Sequence, residues 1–170
     1  MSGPYNVLFL CTGNSARSIL GEVLLNHYGK GRFNAYSAGS RPRGEVHPMA
    51  LEVLSGFGYP TEGLRSKSWD EFTGPDAPVF DFIFTVCDNA AGESCPVWLG
   101  KPMTAHWGIE DPAAVEGRDQ REAFVQALRY LQRRIELFLA LPLDTLDAMA
   151  TAARLKQIGR EAGATGKADA

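Results

Sequence analysis

A chain of 170 residues, 45% hydrophobic and 22% charged, has the size and composition of a single soluble domain able to bury a core. Its formal charge of −3 argues against a general nucleic-acid binder, and no apolar run approaches a membrane span. Three cysteines make an odd count that does not suit a secreted disulfide framework; with no basic stretch leading into an apolar one at the start, a cytoplasmic protein is expected.

Tyr5 to Leu10 reads as a short strand buried on both faces, because its apolar run is continuous rather than alternating. It runs into Cys11, five small or polar residues, and then Arg17 and Ser18. Ile19, Leu20, Val23, Leu24, His27 and Tyr28 recur at helical spacing until Gly29-Lys30-Gly31 stops the helix. Phe33 to Ser37 is a second strand, closed by Gly39, and Met49, Val53, Leu54 and Phe57 mark a helix opened near Pro48. Thr61 to Pro78 reads as loop with a short helix around Ser68 to Phe72. Phe80 to Cys87 and Lys101 to Trp107 are the third and fourth strands. Phe124, Leu128, Leu131, Ile135 and Phe138 step along one face of a long helix. After Pro142, Asp144 is expected to cap one more helix carrying Leu146, Met149, Ala150 and Ile158, and Gly163 to Ala170 is expected to fray.

Strands alternating with helices predict an α/β fold: a single domain over 1–141, with a four-stranded parallel sheet flanked by helices on both faces, and a C-terminal helical extension over 142–170. Sites in such sheets lie beyond the carboxyl ends of the strands. Cys11 and Cys87 each end a predicted strand, so they are expected to face one crevice.

The loop Thr12-Gly13-Asn14-Ser15-Ala16-Arg17 then has a specific chemistry. A strand before it and a helix after it aim backbone N–H groups, a helix N-terminus and a guanidinium at one spot, which suits a tetrahedral oxyanion. That field is expected to lower the pKa of Cys11 and make it a thiolate nucleophile, with Ser18 donating to its sulfur. A core cysteine at a strand end is the plainer alternative. Asn14 is expected to hold a left-handed backbone and to tie the loop down through its amide. In the stretch from His106 to Pro112, Asp111 is placed to protonate a departing oxygen, though an aspartate before proline is also a common turn cap. Cys87 and Cys95 are separated by seven residues, too far for a zinc pair of ~2–4. In a helix their Cα atoms would lie about 12 Å apart, so a disulfide would require the segment to bend or unwind. His27 and His47 are expected to be structural or solvated.

Cys11 to Ser18, followed far downstream by Asp111-Pro112, resembles the low-molecular-weight tyrosine phosphatase fold, and within it the three-cysteine arsenate reductases. Ala113 and Ala114 stand where phosphatases of this fold usually carry two tyrosines. The resemblance implies that arsenate sits in the loop from Thr12 to Arg17 and that Cys11 attacks arsenic while Asp111 helps an oxygen leave. Cys87 then resolves Cys11, Cys95 resolves Cys87, and thioredoxin, or glutaredoxin with glutathione, supplies the electrons. It implies no organic cofactor, no nucleic-acid partner and no membrane partner, and a structural potassium ion on Asn14, Glu22, Ser37, Ser68 and Asp70. The seven-residue spacing is one longer than in the best-known thioredoxin-coupled members, and the extension past Ala140 exceeds the family core. Two rivals stand beside this reading. A phosphotyrosine phosphatase would use Cys11, Arg17 and Asp111 alike and leave Cys87 and Cys95 incidental; a non-enzymatic oxyanion or redox sensor would bind without turnover.

Overall fold

Strands β1 (Tyr5–Leu10), β2 (Phe33–Ala38), β3 (Phe82–Thr85) and β4 (Met103–His106) form one parallel sheet in the order β2-β1-β3-β4. The computed structural model describes residues 4–92, 96 and 98–165. β1 lies in the middle, which explains its unbroken apolar run. Val7 and Phe9 enter one apolar cluster, while Leu8 and Leu10 enter the other.

The helical cover is uneven. The buried faces of α1 (Arg17–Tyr28), α2 (Pro48–Gly56), α4 (Gln120–Leu139) and α5 (Ala148–Ile158) all join the cluster that holds Val7, Phe9 and Phe84. The opposite face packs Leu8, Leu10, Ala38, Phe80 and Ile83 against Phe72, from the 3-10 turn Trp69–Phe72, with Trp69 and Trp98 alongside. A short helix, α3 (Asp88–Gly92), follows β3 at the carboxyl edge of the sheet. α1 lies close on the sheet because Gly21 has no side chain: a Cβ there would come within 2.8 Å of the Phe9 ring.

Register places the site. Leu10 is level with Ala38 and with Thr85, and Thr85 is level with His106. All four strands therefore end in one row, and the chains that leave them share one edge.

Two expectations at the C-terminus are corrected. Asp147, not Asp144, caps α5 by accepting from the Ala150 N–H at 2.7 Å, because residues after Pro142 first close a turn through the Pro142 carbonyl. Asp144 instead accepts from the Tyr5 hydroxyl at 2.7 Å. α5 buries Thr151, Leu155 and Ile158, whereas Met149 is 83% exposed. Residues after α5 do not fray as far as Thr165. Arg134, fully buried on α4, donates to the carbonyls of Glu161 and Ala162 at 3.0 and 3.1 Å, and to Tyr130 on its own helix. Residues 166–170 lie outside the described residues.

Replacing Arg134 with Leu leaves those two chain-end carbonyls without their buried donor. Urea denaturation is expected to show a loss of about 2–3 kcal/mol, the scale of charged hydrogen bonds removed inside a protein.

Candidate active site

The loop from Cys11 to Arg17 is held by its carbonyls. Cys11 O accepts from Asn14 N–H, Thr12 O from Arg41 N–H, Gly13 O from Arg43 N–H and the Ser66 hydroxyl, Ser15 O from His47 N–H, and Ala16 O from Leu20 N–H. With the carbonyls bonded on the outside, the Gly13 and Ala16 amides of the same peptides turn the other way, and the loop lines a cavity of ≈ 230 Å³ together with Cys11. That concavity of N–H groups at a helix start is an anion site. Gly39 makes the close pass possible, since a Cβ there would lie 2.4 Å from Thr12 O.

Asn14 does what its position predicts. Its φ is +42°, and it is fully buried. Its amide donates to Ser18 Oγ at 2.8 Å, and its side-chain oxygen accepts from the Lys67 N–H at 2.9 Å. Ser18 Oγ is the acceptor in that bond, which leaves its hydroxyl proton for a separate acceptor.

Arg17 leans over the cavity, its side chain 13% exposed. One guanidinium nitrogen donates to Ile109 O at 2.8 Å and another lies 3.7 Å from Asp111 Oδ2. Its buried Nε has no partner among the described residues. A buried donor left open over such a cavity fits an oxyanion acceptor. Asp111 reconciles its two readings: Oδ1 accepts from Ala113 N–H and caps the 3-10 turn Pro112–Ala114, while Oδ2 faces Arg17.

Cys87 reaches the same floor from β3. Its sulfur accepts from the Thr12 and Ala90 N–H groups, both at 3.4 Å. Both thiols are buried and reduced. Here the expectation for Cys11 is corrected. Its thiol donates to Cys87, and that bond, with burial, pushes its pKa well up despite Arg17. The same bond pulls Cys87 down to about 5, helped by the two amides and Arg17 against burial. Two thiols in contact titrate as a pair: one proton leaves readily, the second is retained. The charge rests on Cys87 because the amides point there. Cys95 lies outside the described residues.

The positions matched to a potassium ion do not converge on an ion. Glu22 accepts from the Ser37 hydroxyl at 2.5 Å, and Asn14 is spent on Ser18 and Lys67. Ser68 Oγ caps the following turn by accepting from Asp70 N–H at 3.1 Å. The cation beside them is Lys67, whose Nζ donates to Ser37 Oγ at 3.3 Å and to Arg65 O at 3.0 Å, and lies 3.6 Å from Glu22. The residues therefore do not fit a potassium ion, since a lysine ammonium stands among them.

Sequence reasoning missed Lys67, which lies in a stretch read as loop. It also missed Arg41 and Arg43, which line the cavity with Asn89 and Ala113. Their nearness to the loop could be read only from the pairing of Arg41 and Arg43 N–H groups with it. His47 is structural as expected, capping α2 by accepting from Met49 N–H at 3.0 Å.

An oxyanion cradle with a cysteine floor at the edge of a parallel sheet defines a class. The profile of the family described as low molecular weight phosphotyrosine protein phosphatase matches residues 6–151, and the chain belongs to that family. A curated relative from Halalkalibacterium halodurans, named arsenate reductase, is 32% identical over 134 residues, covering 78% of this chain and 93% of its own. Among solved structures, the thioredoxin-dependent arsenate reductase of Corynebacterium glutamicum matches with TM-score 0.59 at 26% identity, over 85% of this chain and 66% of that one. A low molecular weight protein tyrosine phosphatase from T. tengcongensis matches with TM-score 0.65 at 22% identity, over 81% and 99%, and shares the fold.

Two outcomes check this geometry. Titration followed by thiolate absorbance should show one ionisation with a midpoint of about 5. Cys11→Ala should move that midpoint upward, because it removes the hydrogen bond that lowers it most. The melting temperature should be the same in sodium and potassium chloride, and Lys67→Met should lower it, since Glu22 then loses its buried counter-charge.

Proposed function

We propose that this chain reduces arsenate to arsenite, using Cys11, Cys87 and Cys95 in sequence. The observation that carries the reading is the second thiol. Cys87 shares the floor of the oxyanion cradle with Cys11, in hydrogen-bond contact and positioned to carry charge. Hydrolysis of a phosphate ester has no use for it, whereas reduction needs a thiol to take up the first product.

The chemistry runs as follows. Arsenate enters the cavity lined by the loop from Cys11 to Arg17, with two of its oxygens toward Arg17. The Cys11 sulfur attacks arsenic, and the proton it gives up ends on the departing oxygen, which leaves as water with the help of Asp111, so Cys87 stays a thiolate. The Cys87 thiolate then attacks the Cys11 sulfur. The S–As electron pair goes to arsenic, which leaves as arsenite, and a Cys11–Cys87 disulfide remains. Cys95 attacks Cys87, which frees the Cys11 thiolate and passes the oxidation outward as Cys87–Cys95. An external dithiol closes the cycle. Thioredoxin is the reductant we favour, because a similar protein bears that dependence in its name.

The rim supports a small inorganic substrate. Arg41, Arg43, Asn89 and Ala113 surround the opening, so two further guanidiniums stand there and Ala113 offers no ring against which an aryl phosphate would stack. No described helix is long and apolar enough to cross a membrane.

The test follows arsenate-dependent consumption of reducing equivalents with thioredoxin or glutaredoxin supplied separately. Cys87→Ser is expected to stop steady-state arsenite formation while slow hydrolysis of p-nitrophenyl phosphate survives. Wild-type turnover by both Cys87→Ser and Cys95→Ser would sink the relay. Failure of both reductants alongside efficient phosphotyrosine hydrolysis would establish the phosphatase, and arsenate binding with no arsenite release would establish the sensor.

A further inference from the structure

We propose that the segment Ala164–Thr165, after α5, is part of the active site, positioning both the Cys87 segment and the loop that anchors Arg17. The inference extends the site described above and holds whichever oxyanion that site turns over.

Three contacts carry it. The Thr165 hydroxyl donates to Asp88 Oδ1 at 2.5 Å, and Asp88 is the first residue of α3, next to Cys87. The same carboxylate oxygen lies 2.8 Å from His106 Nε2, whose Nδ1 is 2.7 Å from Thr85 Oγ1. Asp88 is thus held by His106 of β4, itself bonded to Thr85 of β3, and by Thr165. Meanwhile the Thr165 N–H donates to Gly108 O at 3.1 Å, and Ala164 forms an antiparallel bridge with Ile109. Ile109 O is the acceptor for Arg17, and Asp111 lies two residues on. One dipeptide therefore ties together the two segments that bring Cys87 and Arg17 to the cavity.

The local sequence is shaped for this fit. Gly108 sits so near His106 and Thr165 that a Cβ would meet both, at 2.4 and 2.5 Å. Gly159, just after α5, passes the His106 carbonyl, where a Cβ would lie 2.3 Å away. Gly163 turns at φ +90° against the Tyr130 ring and delivers Ala164 to Ile109. Arg134 holds the preceding carbonyls from below. The segment is seated by its own small residues, and it closes one wall of a second hollow lined by Arg17, Cys87, Asp88, Asn89 and Asp111.

Positioning predicts separable effects. α3 supplies the Ala90 N–H that holds charge on Cys87, so loosening Asp88 weakens that bond. Loosening Gly108 and Ile109 instead lets Arg17 drift from the oxyanion.

The experiment uses the whole chain with two readouts besides turnover. One is the rate of Cys87 alkylation by iodoacetamide against pH, resolved from the other cysteines by peptide mass spectrometry. The other is the affinity for inorganic phosphate by calorimetry. Thr165→Val should slow Cys87 alkylation about five- to tenfold at pH 4–5, around and below the wild-type midpoint, the scale of one hydrogen bond, and shift that midpoint upward, with phosphate affinity little changed. Thr165→Ser should restore the wild-type profile. A chain ending at Gly163 should lose on both readouts. A segment that merely packs would lower the melting temperature of these variants and leave both readouts at wild type, which overturns the proposal. If the shortened chain does not fold, an unchanged alkylation profile in Thr165→Val overturns it alone. Because neither readout involves arsenate, these outcomes stand even where arsenate reduction fails.

Discussion

Everything at this site depends on where five backbone carbonyls go. An anion cradle made of amides exists only if the opposite edge of the same peptides is bonded elsewhere, and here the partners come from residues 41–47, Ser66 and the start of α1. Asn14 and Leu20 serve the two ends of the loop locally, but residues 41–47 and Ser66 are distant in sequence and are brought near by the parallel pairing of β1 with β2. The loop is therefore not a self-contained motif. It is one side of a seam, and Asn14, with its left-handed backbone and two side-chain bonds, locks that seam on the inside.

The sheet was readable because apolar runs of that length between helical repeats leave few alternatives. β1, α1, β2, α2 and α4 fall where their periodicity puts them. The third strand is shorter than its apolar run, since Phe80 is buried in the second cluster without joining the ladder. The cap of α5 was misplaced by three residues because Asp144 and Asp147 satisfy the same local rule, and a turn after Pro142 decides between them. Local chemistry could not choose.

The site was readable in its nucleophile, its arginine and its second cysteine, each next to a strand end. What stayed hidden is what acts through space. Lys67 lies in a polar stretch with no period, and its ammonium reaches Ser37 and Glu22 only because the Gly39–Ser68 bridge pulls that stretch onto β2. The proton balance of Cys11 and Cys87 is likewise a property of contact, and it reverses the charge placement that the loop alone implies. The small residues from Gly163 onward looked like fraying, yet Gly163, with Gly159 before it, lets that segment lie flat on the site.

The row in which the strands end has a metrical consequence. Neighbouring strands in a sheet are separated by roughly 4.8 Å, and a disulfide spans Cα separations of roughly 4.4–6.8 Å. Cys11 lies one residue beyond Leu10 and Cys87 two beyond its register partner Thr85, on adjacent strands, with Val86 N–H still bonded to Leu10 O. The strand spacing and an offset of one residue, ~3.3 Å along the strand, together keep the pair within the Cα range of a disulfide. A covalent link between these two sulfurs asks for side-chain rotation and little backbone travel, while any later exchange with a thiol further along the chain must bend α3. Rigidity serves the first exchange, and compliance is confined to the segment after it.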